Sequence, residues 1–200
     1  GNKGTRLAFS RPINVPLPGP GAIQGRRPNS TFAAGSLIQE TNNSIYHGFQ
    51  GKLETRSWRG LTLLSTFTWA KGLDYQNSDS QVSPVQDPNN LRAERGVIGQ
   101  PAARFTASAV YEVPLLKKRK DILGQVLGGW QLTSILGRQS GSAFTPVIST
   151  DPANTGSSRR PDRLRNGALP NPTIDGWFDV PAFTVPAAFT YGNSGVNILR

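Results

Sequence analysis

A single histidine, no cysteine and twelve acidic side chains among 200 residues leave few groups for catalysis. His47 has no second His and no Cys to share a metal with, and zinc sites draw on several such ligands. Ser-His-Asp chemistry would rest on His47 alone, and no Gly-x-Ser-x-Gly turn is present. No enzymatic activity, metal site or cofactor is expected, and His47 reads as a wall residue of a strand. Hard oxygen donors cluster in two loops, Asp87, Asn89, Asn90 and Glu94 in one and Asp151, Asn154 and Asp162 in the other. Calcium accepts such sets, but EF-hand spacing is absent. Asp-Pro and Asn-rich phrases more often make turns, in which the side chain bonds its own backbone. Arg92 and Arg95, on either side of Glu94, are expected to pair with loop acids and fix the loop. Trp177, Phe178 and Phe183, with Asp179 among them, either pack as a small loop core or stack on a flat ligand such as a sugar. The net charge of +10 invites a nucleic-acid partner. However, the basic clusters Lys117–Lys120 and Arg159-Arg160 with Arg163 and Arg165 fall in loops without a recognition motif, so none is expected.

The elements that must hold these groups are strands. Ile45, Phe49 and Leu53 alternate with Tyr46, Gln50, Lys52, Glu54 and Arg56; after Ser57-Trp58-Arg59-Gly60, Leu61, Leu63, Phe67 and Trp69 alternate with Thr62, Thr66 and Thr68. Period two gives each strand one apolar and one polar face. Runs of about eleven residues suit a tilted membrane-crossing strand better than the usual soluble strand of about five or six. Ala103, Phe105, Ala107, Ala109, Tyr111 and Val113 repeat the pattern opposite Arg104, Thr106, Ser108 and Glu112. Trp130, Leu132 and Leu136 do so opposite Gln131, Thr133 and Gln139. No apolar run is long enough for a membrane helix, a test that barrels escape because only alternate residues face lipid.

The expected fold is all-β, an antiparallel up-and-down transmembrane β-barrel segment with long extracellular loops. Residues 1–43 read as a strand end (Thr5–Ser10) and a Pro/Gly-rich loop, 44–71 as a hairpin and 72–102 as a long polar loop. Residues 103–149 read as strands, the last a short one over 143–149 interrupted by Pro146, and 150–200 as a second long loop. Leu115–Gly129 is expected to hold at most one helical turn. Lipid-facing residues are then Ile45, Phe49, Leu53, Leu63, Phe67, Phe105, Tyr111, Leu132 and Leu136. Lumen-facing residues are Gln50, Lys52, Glu54, Arg56, Arg104, Glu112, Gln131 and Gln139, which either contact a ligand or form a solvated wall. The chain opens on Gly1, has no methionine and stops at Asn197-Ile198-Leu199-Arg200, so it reads as a piece of a longer one.

A set of phrases then carries a resemblance. In order they are Gly4-Thr5-Arg6-Leu7, Pro16-Leu17-Pro18-Gly19-Pro20-Gly21, Arg26-Arg27-Pro28, Leu53-Glu54-Thr55-Arg56 and Phe67-Thr68-Trp69-Ala70-Lys71. Next come Asp87 to Gly96, Gly128-Gly129-Trp130-Gln131, Gln139-Ser140-Gly141 and Arg160-Pro161-Asp162-Arg163. Trp177-Phe178-Asp179 and Gly192-Asn193-Ser194-Gly195 with Asn197 and Arg200 complete the set. The chain resembles the barrel region of TonB-dependent outer-membrane receptors of the Oar-like kind. One departure stands before the third strand. The family tends to place an acidic residue and Arg-His-Arg-Phe there, while this chain has Gln100-Pro101-Ala102-Ala103-Arg104-Phe105. The resemblance implies about five strands of a roughly 22-stranded barrel in the outer membrane. It also implies an own plug domain, a TonB complex that relays energy and a substrate the sequence does not identify. The rival class is a secreted or surface β-rich binding or adhesion module, which would be soluble without detergent.

Overall fold

The computed structural model describes residues 1–75, 85–114, 122 and 128–200. The basic run Lys117–Lys120 and nearly all of the 115–127 connection lie outside the described residues. Five long strands form the framework: β1 (Asn2–Ile13), β2 (Gly35–Trp58), β3 (Leu61–Asp74), β5 (Ala103–Glu112) and β6 (Gln131–Gln139). Shorter pieces are β4 (Gly96–Val97), β7 (Asp162–Arg163) and β8 (Phe183–Thr184). The main sheet runs in the order β1-β2-β3-β5-β6 with β4 on β3, while β7 pairs with β8 apart from it. Neighbours in sequence are neighbours in the sheet and every pairing with a defined register is antiparallel, as in an up-and-down meander. Among the described residues β1 pairs only with β2 and β6 only with β5, which leaves two unpaired edges.

By contact the chain divides into two compact units, residues 48–70 with 101–141, and residues 1–47 with 71–100 and 142–200. In the first, the β2–β3 hairpin closes on Arg59 and Gly60, whose φ values of +51° and +84° are what a type I′ turn requires at both central positions. Gly60 is needed twice over, because a Cβ there would also sit 2.8 Å from the Glu112 carbonyl oxygen. Arg59 stacks over the Trp58 ring at 5.5 Å. Register continues through Thr66 opposite Thr106, whose hydroxyls bond at 2.6 Å, and Phe67 opposite Phe105 opposite Arg138. No described side chain of this unit is buried. It is a single sheet layer.

The second unit has the interior. Phe9, Val85, Ala143, Ala153, Ala182, Val196 and Leu199 are buried there together with Asn42, Asp74, Gln86, Glu94, Thr155, Arg160 and Ser194. A core this polar must satisfy its hydrogen bonds internally. After β1, Asn14 holds the irregular stretch: its Nδ2 donates to the carbonyls of Asn29, Phe32 and Ala33 at 2.8–3.0 Å, and its Oδ1 accepts from the Asn29 amide at 2.8 Å. Three sequence expectations change. The strand expected over Thr5–Ser10 spans Asn2–Ile13, with a register shift near Arg6, whose φ is +55°. The strand expected from Ile45 starts at Gly35, since Asn42 and Asn43, weak strand formers, are carried by pairing with β1 and by Asn42 Oδ1 accepting the Tyr75 amide. The strand expected over 143–149 does not form. Phe144 makes an isolated bridge to Leu199, Pro146 has no N–H, and the Ile148 amide turns to the Arg159 carbonyl.

Candidate functional site

A buried polar network lies inside the loop unit. Glu94 ends a 3-10 turn (Leu91–Glu94) that fixes it in place, and Arg160 reaches it from 66 residues further on. The pair is bidentate, Nη1 to Oε2 at 2.6 Å and Nη2 to Oε1 at 2.9 Å, with side-chain exposures of 2% and 0%. Glu94 Oε1 also accepts the Asp87 amide at 3.0 Å. Gln86 joins the opposite side of the lock: its Oε1 accepts the Arg160 amide at 2.8 Å and its Nε2 donates to the Gly192 carbonyl at 2.9 Å. Gly192 must be glycine, because a Cβ would overlap the Arg160 carbonyl oxygen. Asp162 Oδ1 accepts the Asn193 amide at 2.8 Å, and Asn193 Oδ1 accepts the Arg163 amide at 2.7 Å. Asn197 donates to the Val97 carbonyl at 2.6 Å and exchanges bonds with Thr145. Tyr191 sits against this network, and burial, aided by the negative charges of Asp87, Asp151 and Glu94, pushes its hydroxyl up to about 12.

The pairing expected of Arg92 and Arg95 is corrected here. Both are exposed and, among the described residues, neither makes an ion pair; Arg95 lies over the Tyr75 ring at 5.9 Å, and Arg160 supplies the base that Glu94 needs. The sequence offers only that Glu94 and Arg160 each fall in one of the phrases singled out above; their pairing across 66 residues has no local signal. The loop carboxylates accept backbone amides. Asp87 Oδ1 takes the Asn89 amide at 2.9 Å and Asp151 Oδ2 the Gly156 amide at 2.8 Å. Asn154 donates to the carbonyls of Gly19 and Gly21, and Arg26 donates to those of Leu17 and Asn154. Phe178 packs edge-on between Phe144 and Phe183, with centroids 5.8 and 5.9 Å apart, while Trp177 stays half exposed and Asp179 pairs with Arg165 at 2.8 Å.

In the sheet unit, register sorts the wall residues. Phe67, Phe105, Tyr111, Leu63, Leu132 and Leu136 project to one face, and the Phe49–Phe67 ring contact at 6.5 Å puts Phe49 and, by alternation, Leu53 on that same face. Ile45 keeps that parity in β2 and pairs with Lys3 in the loop unit. Gln50, Lys52, Glu54 and Arg56 take the other face of β2, where Glu54 sits between Lys52 and Arg56 at 2.8 and 2.7 Å. Arg104 opposite Gln139 and Glu112 opposite Gln131 share it. Several side chains break the sorting: Leu64 and Ile135, both opposite Ser108, and Val110, opposite Thr62 and Thr133, lie on the polar face, and Arg138 lies on the apolar face opposite Phe105. Arg138 is near the end of its strand, where a long stem lets the guanidinium reach polar surroundings. Phe49 and Leu53 are each 61% exposed and Leu136 56%. A continuous apolar surface of this extent on a layer with no interior requires a cover.

Among the described residues, cavities open in the loop unit. One of about 640 Å³ lies between the end of β1, the proline-rich segment after it, and Pro88-Asn89. Another, of about 650 Å³, shares Pro12 and Val15 with it and reaches Val147 and Arg159. Both have the size of small-molecule sites. A family model described as an outer membrane beta barrel domain matches residues 1–200. No curated protein and no solved structure matches the chain.

Proposed function

From the premise that the chain belongs to the outer membrane β-barrel domain family, and so to the cell outer membrane, we propose that it is part of a TonB-dependent receptor. In this reading the strands are barrel wall in contact with membrane lipid, and the long loops are extracellular and serve energised uptake of a substrate. The other partners are the receptor's own plug domain and the TonB complex. One observation carries the finer part of the reading. Three of the phrases that resemble the Oar-like receptors, far apart in sequence, meet in the loop core: Asp87–Gly96 meets Arg160–Arg163 through Glu94, and Gly192–Asn197 meets the first where Gly96 lies against Val196 and the second through Asp162. A segment that merely shared barrel composition would have no reason to bring those phrases together.

The wall follows from elementary geometry. From Leu61 to Trp69 the β3 rise is about 27 Å, which at a tilt of about 40° stands about 20 Å tall, close to the apolar band of roughly 25 Å of outer-membrane barrels. Tyr111 and Trp58 lie towards one end of that band and Trp69 at the other, where amphipathic rings favour the interface. The unpaired outer edges of β1 and β6 are where further strands continue the wall, since backbone groups in lipid need partners. The test is capture of the whole protein, extracted in detergent, on an immobilised periplasmic domain of TonB. Retention that is lost when the receptor's plug segment is removed supports the receptor reading. Failure of the intact protein to bind reduces it to a barrel of another kind.

A further inference from the structure

The cavity at the end of β1 holds two guanidinium groups with no counter-ion. Arg11 makes one long bond, Nη2 to Asn89 Oδ1 at 3.4 Å, and Arg26 donates only to backbone carbonyls, those of Leu17 and Asn154. Among the described residues neither lies within ion-pair distance of a carboxylate. The Nε atoms of both are buried and lack a hydrogen-bond partner. A guanidinium carries five donors, and half-buried cations left unneutralised are costly. Arg160 in the same unit differs in its counter-charge: both of its Nη atoms close on the Glu94 carboxylate, whereas Arg11 and Arg26 meet none. Around them the walls are apolar and stiff: Pro18, Pro28, Pro88 and Val15 line the cavity with few rotatable groups, so little side-chain freedom is lost on binding. Asn154 and Asn14, each accepting or donating to the segment's own backbone, hold this wall in shape.

We propose that this cavity is a binding site for an organic oxyanion, a carboxylate or phosphate ester on a compact apolar body, with Arg11 and Arg26 taking the anionic group. The planar fork of each guanidinium matches either oxyanion in bidentate fashion. About 640 Å³ accommodates the anionic head and a body of one or two rings. The site needs only the loop unit and stands independently of whether the protein engages TonB.

Equilibrium binding to the whole protein in lipid nanodiscs tests it, with uptake by empty discs subtracted. The probes are 1-naphthyl phosphate, 1-naphthoate, neutral 1-naphthol and inorganic phosphate. Both naphthyl anions should bind saturably at one site and at least tenfold tighter than 1-naphthol, the tighter of the two identifying the preferred head group. Arg11→Gln should weaken the anions at least tenfold and leave 1-naphthol unchanged. Leu17 lines the cavity and is 70% exposed, so Leu17→Glu changes charge at little cost to folding: it should weaken the anions tenfold, while Leu17→Gln should not. The site is refuted by any of three results: unsaturable anion binding, equal affinity for 1-naphthol, or inorganic phosphate competing as well as its naphthyl ester. Unchanged affinity in both Arg11→Gln and Leu17→Glu refutes it too.

Discussion

Replacing Glu94 with Gln keeps the shape of the side chain and one acceptor but leaves the Arg160 guanidinium, 2% exposed, without its counter-charge. Breaking one side of a buried pair costs about 3–5 kcal/mol, because the remaining charge stays desolvated and unpaired. The Arg160 Nε is already without a partner, so no other donor or acceptor stands ready to absorb the loss. At roughly 1.4 kcal/mol per factor of ten, that cost is about two to three and a half orders of magnitude in local opening. Two amides report it directly: Asp87, which donates to Glu94 Oε1, and Arg160, which donates to Gln86 Oε1. Hydrogen exchange of the protein in nanodiscs should show both accelerated by at least about a hundredfold, with the β5 amides unchanged. Adding Arg160→Met to Glu94→Gln should restore most of the protection, since an apolar replacement removes the stranded charge. Exchange within tenfold of wild type in Glu94→Gln, or no recovery in the double variant, would refute the lock.

Leu136 and Ile135 are neighbours in sequence on opposite faces, and the Ser65–Ala107–Leu136 row lies midway along the strands. Leu136→Arg should therefore destabilise the barrel by about 2–4 kcal/mol in reversible unfolding from lipid, and Ile135→Arg by much less. Gly60→Ala meets both a φ of +84° and the Glu112 carbonyl, so the hairpin should lose more than about 1 kcal/mol in the same assay. Tyr191 is held neutral in the fold, with its ionisation raised from 10.0 to about 12. Its contribution is thus intact below pH 10 and is lost as pH climbs through about 12; thermal denaturation should show the loop unit weakening over that window, and Tyr191→Phe should remove the decline.

The wall was legible because its information is local. Period-two alternation in Leu61–Trp69 and Ala103–Tyr111 is a property of consecutive residues, and the observed register leaves each on the face that parity assigns. Asn42 to Ser44 hid the first part of β2, since what makes them strand is a partner more than thirty residues away in β1. The loop core was hidden for the same reason on a larger scale. Glu94 and Arg160 are 66 residues apart, and Gln86 and Gly192 are 106 apart. Nothing in spacing joins such residues, so the nearby Arg92 and Arg95 were the natural but mistaken partners. Phe178 and Phe183 are close in sequence, whereas Phe144, which completes their cluster, is remote. Arg11 stood in no phrase and Arg26 only in Arg26-Arg27-Pro28, and neither was legible as a site, because an arginine's want of a counter-ion is visible only when its surroundings are placed.

The chain has no cysteine, so single cysteines can be introduced one at a time along β3, β5 and β6 and spin-labelled in the whole protein reconstituted in lipid. Collision with oxygen, which concentrates in the hydrocarbon, and with a water-soluble nickel chelate then reads which medium each position faces. Oxygen should dominate at 63, 65, 67, 105, 107, 109, 132, 134 and 136, and the chelate at the positions between them, with a period of two. Equal accessibility at neighbouring positions, or oxygen favouring 66, 106 and 133 instead, would contradict the membrane wall.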